Sequence, residues 1–157
     1  MIWIFLSLLS FAPTPVHDLA EACPREMPSS FSHMVFEAAS EFDVDPLVLL
    51  ATAVRETHCR PQAVGATGEL GIAQIHPKYW AEELQREGII NTRDDLRDIE
   101  TSLRASAYIF SKHKRRSRDI WTQFRTYNGS GPAARKYADE QTIRLAKLRE
   151  RFPMRSP

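Results

Sequence analysis

Eight consecutive residues, Leu47 to Val54, are apolar on nearly every side, and the run meets Arg55-Glu56-Thr57-His58 abruptly. A helix that is hydrophobic all round has no face to give to water, so it belongs at the centre of a core. Asp45 and Pro46 stand just before it, an N-cap residue and a residue suited to the first helical position. A chain built around such a helix must supply amphipathic elements to cover it. Phe31, Met34, Val35, Ala38, Ala39 and Phe42 step at helical spacing upstream. Downstream, Pro77 opens a helix through Leu84 to Glu87 that Gly88 stops, and Asn91 to Asp95 reads as a loop. Leu96, Ile99, Leu103, Ala107 and Phe110 predict a long amphipathic helix. Ile120 to Tyr127 predicts another, ended by Asn128-Gly129-Ser130-Gly131-Pro132, and Ala133 to Tyr137 and Thr142 to Phe152 read as two closing helices. Pro61, Gly65, Gly68 and Gly71 mark an irregular stretch without strand-like alternation. The expected fold class is all-α, and 157 residues have room for one domain with one core of ordinary size.

The N-terminus suggests export. Ile2 to Ala12 is apolar but shorter than the roughly 20 residues a membrane span takes. Ala20-Glu21-Ala22 then supplies small residues at the spacing a signal peptidase reads. The expectation is a signal peptide over 1–22, cut after Ala22, and a mature domain over 23–157. A lipoprotein site wants Leu three residues before the cysteine, and Ala20 stands there, which argues against a lipid anchor. Cys23 and Cys59 suit an oxidising compartment, where a bridge between them would contribute about 3–4 kcal/mol in the chain-entropy model. Two separate thiols are the other reading. Two cysteines and scattered histidines form no ligand cluster, so no metal and no cofactor are expected.

Net charge is only +1, but it is unevenly spread. Residues 1–100 carry 7 of the 21 basic and 16 of the 20 acidic side chains, and the remainder carries the rest. The densest run is Lys112-His113-Lys114-Arg115-Arg116-Ser117-Arg118. It fits an anionic polymer, or simply a solvated helix end whose charge complements the macrodipole. It has no interleaved aromatics for base stacking, which argues against nucleic acid as a partner.

Glu56 is the residue to explain. Desolvation at the end of an apolar helix, together with the negative end of the helix dipole, would raise its pKa. That keeps a carboxylic acid protonated near neutral pH, ready to donate to a leaving oxygen. The alternative is a surface glutamate paired with Arg60 four residues on.

Three ordered blocks carry a family resemblance. They are Glu56-Thr57 with Arg60-Pro61-Gln62-Ala63-Val64, then Gly68-Glu69-Leu70-Gly71-Ile72-Ala73-Gln74-Ile75-His76-Pro77, then Thr126-Tyr127-Asn128-Gly129-Ser130-Gly131-Pro132. Together, over roughly residues 31–152, the sequence resembles the goose-lysozyme-like lytic transglycosylases, the SLT-domain family. The resemblance implies a lysozyme-like single domain acting in the periplasm as a monomer on peptidoglycan glycan strands. It implies Glu56 as catalytic acid and base, and Thr57, Gly71, Ile72, Gln74, Tyr127 and Asn128 as substrate-binding residues. The glycines would let backbone approach the sugar, and Tyr127 would contact Glu56 or the sugar ring. Glu69 falls at a position the family leaves variable and receives no role. Thr57, Ala73, Thr126 and Ser102 depart from the usual Ser, Met, Ala and Asn. The implied reaction cuts between N-acetylmuramic acid and N-acetylglucosamine with closure of a 1,6-anhydro ring. A hydrolytic lysozyme and a non-catalytic wall-binding protein on the same fold remain alternatives. Small members of this kind open the wall for secretion, conjugation or pilus machinery, which makes components of such an apparatus candidate partners.

Overall fold

The computed structural model describes residues 17–154. Six α-helices carry the fold: α1 Phe31–Phe42, α2 Pro46–Thr57, α3 Pro77–Arg86, α4 Ile99–Arg116, α5 Ile120–Asn128 and α6 Gly131–Arg151. Among the described residues the only β pairing is two isolated antiparallel bridges, Val64 with Leu70 and Leu70 with Ile75. The all-α expectation holds.

Helix α2 is the buried axis. The Asp45 carboxylate accepts from the Leu47 amide at 2.8 Å, and Pro46 occupies the first turn. Leu47 to Ala53 are all buried, with α1, α4 and α6 packed around them. The helix ends where His58 and Cys59 take successive left-handed conformations, φ 51° and 61°. Two non-glycine residues in that region are strained. Here the His58 amide returns to the Val54 carbonyl and that of Cys59 to Ala53. Cys59 is bonded to Cys23, across 36 residues, so the turn directly after Glu56 is fixed from both sides.

Two expectations need correction. The two closing helices are one, α6, unbroken across Ala138 to Gln141. There the inner face is completed by the fully buried Gln141 rather than an apolar residue, so the periodicity lapses while the helix does not. The stretch at Asn91–Asp95 is no plain loop: Arg93–Arg97 forms a 3₁₀ turn. Asp95 caps it by accepting from the Asn91 and Thr92 amides at 2.7 and 2.9 Å. Leu96 is buried from that turn and not from α4.

The expected cut after Ala22 falls at the edge of the described residues. Most of the expected leader, including the apolar run Ile2–Ala12, lies outside the described residues. Leu19–Ala22, however, is a 3₁₀ turn packed into the molecule. Leu19 is fully buried, its amide donates to Ser32 Oγ at 2.9 Å, and Ser32 donates to Asp18 at 3.0 Å. Arg151 donates to the Glu21 carbonyl at 3.0 Å. Leu19–Ala22 is thus packed against the domain, and a cut after Ala22 would remove a core leucine at about 2–3 kcal/mol.

Candidate active site

Glu56 lies in the last turn of α2, partly buried, where it faces a cleft of about 640 Å³. Its pKa is raised. Burial against the core is the main cause, opposed by a hydrogen bond from Tyr137 and by the charge of Arg55, and reinforced by Glu69. Neither neighbouring arginine turns onto it. Arg55 reaches Glu140 at 3.2 Å, and Arg60 donates back to the Thr57 carbonyl at 3.3 Å. In place of a surface pair with Arg60 stands a partly buried carboxyl whose desolvation favours the neutral form.

The group that touches Glu56 is one the sequence reading missed. Tyr137, on the inner face of α6, donates its hydroxyl to Glu56 Oε1 at 2.6 Å. Burial, with the adjacent carboxylate, pushes the Tyr137 phenol far above its ordinary value, so it stays a donor at any physiological pH. Gln141, one turn on, donates to the same hydroxyl at 3.4 Å. In the sequence Tyr137 looks like any core aromatic, and nothing local marks it.

Tyr127, expected near Glu56, lines the cleft but spends its hydroxyl elsewhere, donating to the Ala73 carbonyl at 2.9 Å. Its ring stacks on Phe110 at 4.5 Å with 4° between planes. This tyrosine pins the glycine-rich loop to α4 and α5. Asn128 follows it onto the cleft rim and is exposed.

The opposite wall is the 60–76 segment. Gly65 N–H bonds to Glu69 O at 2.8 Å, Gly71 N–H to Ala63 O at 2.9 Å, and Leu70 and Ile75 exchange both bonds. Gln74 sits at φ 49° and gives its amide protons to Gly71 O and Ala63 O at 3.0 and 3.3 Å. That leaves its side-chain oxygen to the cleft as an acceptor. Glu69 also faces the cleft. Its pKa is lowered, chiefly by the Thr67 hydroxyl, and the Thr67 amide bonds it at 3.1 Å. Gly65, which carried no expected role, leaves the room that both side chains occupy: a Cβ there would sit 2.2 Å from Glu69 Oε2 and 2.6 Å from Gln74 Oε1.

Three expected substrate contacts lie behind this wall and do not line the cleft. Thr57 is buried, with its hydroxyl donating to Ile72 O at 2.9 Å. It ties α2 to the loop. Ile72 is fully buried. Gly71, at φ 76°, faces the 3₁₀ turn, where a Cβ would come within 1.8 Å of Leu96 O. Its small size serves close packing of backbone on backbone and not approach to a sugar.

Among the described residues no group of three or more His, Cys, Asp or Glu could hold a metal ion. The chemistry available to this cleft is proton transfer by one poised acid, flanked by hydrogen-bond acceptors and aromatic rings.

No curated protein matches the sequence. Among solved structures, the fold is similar to that of an inactive mutant of the lytic transglycosylase Slt from Pseudomonas aeruginosa, with TM-score 0.72 and 13% identity. The match covers 83% of this chain and 25% of that one, so this chain spans about a quarter of that protein's length. The family described as the transglycosylase SLT domain matches residues 33–148. That is most of the chain, and the protein belongs to the transglycosylase SLT domain family.

Proposed function

We propose that this chain is a peptidoglycan lytic transglycosylase with Glu56 as its sole acid and base. One observation carries the reading: a carboxyl whose pKa burial raises, held by the Tyr137 hydroxyl, faces an open cleft. Glu56 donates its proton to the glycosidic oxygen between N-acetylmuramic acid and N-acetylglucosamine as the bond to the muramoyl C1 breaks. The resulting carboxylate takes the proton of the C6 hydroxyl while that oxygen bonds to C1. The 1,6-anhydro ring closes, Glu56 ends protonated, and no water is consumed. Tyr137 donates to the carboxylate throughout, which stabilises the ionised half of the cycle. The Slt structure is described as inactive in a mutant with glutamate replaced by glutamine, the kind of change Glu56→Gln makes here.

Glu69 gives a second reading some weight, because an ionised carboxylate in the same cleft suits a water base in a hydrolytic lysozyme. Thr67 already engages both of its oxygens, which favours the transglycosylase. Digestion of sacculi and analysis of the products decides. Anhydromuropeptides are expected, and reducing ends alone would overturn the reading.

We infer export to the periplasm, supported by the apolar N-terminal run and the disulfide. The leader is then cut upstream of Asp18, and the mass of the mature protein measures this directly. Local wall opening for a secretion, conjugation or pilus apparatus is the expected setting. Deletion of the gene should block assembly of that apparatus and leave bulk wall turnover intact; the reverse pattern would refute it.

A further inference from the structure

Gln141 is fully buried on a face of α6 otherwise made of Ala134, Tyr137, Ala138, Leu145 and Leu148. Its Nε2 donates to the Tyr137 hydroxyl at 3.4 Å, and its Oε1 has no hydrogen-bond partner among the described residues. A buried carbonyl left in that state is destabilising, and leucine or methionine in its place would carry no such penalty. Packing therefore does not account for a glutamine here, and its one side-chain hydrogen bond leads to Glu56. We propose that Gln141 is a positioning residue: by donating to the Tyr137 hydroxyl it keeps Tyr137 a donor to Glu56 Oε1, and so leaves the acid proton of Glu56 on Oε2. The inference rests on the reading of Glu56 as the acid and adds to it a choice between two carboxyl oxygens.

A phenol has one proton. When Glu56 is ionised it only accepts, so the Tyr137 proton points at Oε1 along the 2.6 Å bond. Any second partner of the phenol oxygen must then be a donor, and the Gln141 amide supplies one. With the amide held this way, the same arrangement persists when Glu56 is neutral. Oε1 goes on accepting from Tyr137, and the one proton of the carboxyl has only Oε2 to occupy. Among the described residues Oε2 has no partner, so it is the oxygen left for the substrate. Glu56 gives the glycosidic oxygen its proton from Oε2 and takes the C6 hydroxyl proton back there, while Tyr137 keeps its own.

The competitor is the reverse chain. In it Glu56 is protonated on Oε1 and donates to Tyr137, which donates in turn to Gln141 Oε1 through a turned amide. That arrangement holds the acid proton away from the substrate. It also strands the Gln141 NH2 without an acceptor, and an orphaned N–H group in a core is rarer than an under-satisfied carbonyl. Without the amide the bias is gone. Tyr137 is then free to accept from Oε1, and part of the neutral enzyme carries its proton on the wrong oxygen.

The test is Gln141→Met, which keeps the length of the side chain and removes both polar groups. Kinetics are read across pH on soluble uncrosslinked glycan strands. We expect kcat about fivefold lower, the share that one neutral hydrogen bond commands, with KM unchanged and a melting temperature that does not fall. The alkaline limb of kcat/KM should move up by about half a pH unit, because the carboxylate loses support from Tyr137 while the neutral form gains a partner. The other ionisable groups around Glu56 are untouched by the change. They are Arg55 on α2, Glu69 and His76 in the loop wall, Tyr127 on α5, Glu83 on α3, and Lys112 and Arg116 on α4. In a Tyr137→Phe background the same substitution should do nothing more. Gln123→Met, which removes a buried amide bonded to the Ser117 carbonyl at 3.0 Å, should lower stability and leave kcat and the limb in place. Gln141→Leu repeats the measurement with different packing. Unchanged kcat and limb in both Gln141 variants overturn the proposal. So does a lower kcat with the limb unmoved, which a packing defect would give, or a loss as large without the Tyr137 hydroxyl as with it. Failure of Glu56 as the acid shows separately, as activity that survives Glu56→Gln.

Discussion

The two walls of the cleft each present a glutamate, and their surroundings push the two pKa values in opposite directions. Glu56 projects from a helix sunk in the core, loses its hydration, and is pushed toward the neutral form. Glu69 projects from a loop that wraps its oxygens with the hydroxyl and amide of Thr67, and is pushed toward the anion. Nothing in the chemistry of glutamate separates them. Helix-in-core against turn-on-surface does, and it divides one cleft into an acid wall and an acceptor wall. The difference teaches that the raised pKa of Glu56 is a property of where α2 ends.

Breaking the acid wall has the largest expected effect. Glu56→Gln removes the proton but keeps a group able to accept from Tyr137, so the fold should stand. Release of soluble muropeptides should fall about 10³-fold, within the range general acid catalysis supplies. Loss of less than tenfold would remove Glu56 from the acid role.

The acceptor wall breaks through its backbone. Gly71→Ala puts a methyl into the Leu96 carbonyl at a left-handed φ. We expect a cost of about 3 kcal/mol and a melting temperature lower by about 10 °C. Gly68→Ala, at φ 99° with open space around it, should cost only about 1 kcal/mol. Equal losses at the two positions would mean that the turn does not rest on Leu96.

How far this division could be read from the sequence follows from the range of the interactions. Helix α1 was legible to both ends and α2 at its start, because an all-apolar run with Asp45 and Pro46 before it declares itself within a few residues. The elevated acid at Glu56 was legible for the same reason. Tyr137 was not, since its bond to Glu56 spans 81 residues and a phenol on an inward helix face is the same letter whether it packs or donates. Tyr127, the better-marked tyrosine, turned out to anchor the loop. Thr57 and Gly71 were recognised by their place in the family blocks, which preserves a residue equally for holding the wall and for touching the substrate. The break expected within α6 failed at Gln141, a polar residue buried beside Tyr137, so the missed helix and the missed partner are one error.

The tyrosines sharpen the comparison with a smaller effect. Tyr137→Phe deletes the donor that lowers the Glu56 pKa, so that pKa should rise further. The alkaline limb of kcat/KM, which follows loss of the acid form, should move to higher pH. The rate at the optimum should drop about tenfold, as the ionised half of the cycle loses a charge-assisted hydrogen bond. Tyr127→Phe should cost about 1 kcal/mol of stability through the Ala73 carbonyl and leave the limb in place. Exchange of those two outcomes would reverse the assignment of the tyrosines.

The smallest effect tests whether the acceptor wall reports to the acid wall at all. The Glu69 anion disfavours a second anion across the cleft, and so holds the Glu56 pKa up. Glu69→Gln takes that repulsion away, the Glu56 pKa falls, and the acid form is lost at lower pH. The alkaline limb should therefore shift in the direction opposite to that of Tyr137→Phe. High salt should shrink the shift, because the charges meet across open solvent. The rate at the optimum should stay within about twofold of wild type, as for a surface substitution. A water base would behave otherwise: its loss would lower the rate about 10²-fold or more, with the pH limb a secondary matter. The size of the Glu69→Gln effect thus distinguishes a neighbour that tunes Glu56 from a second catalytic carboxylate, by kinetics independent of product analysis.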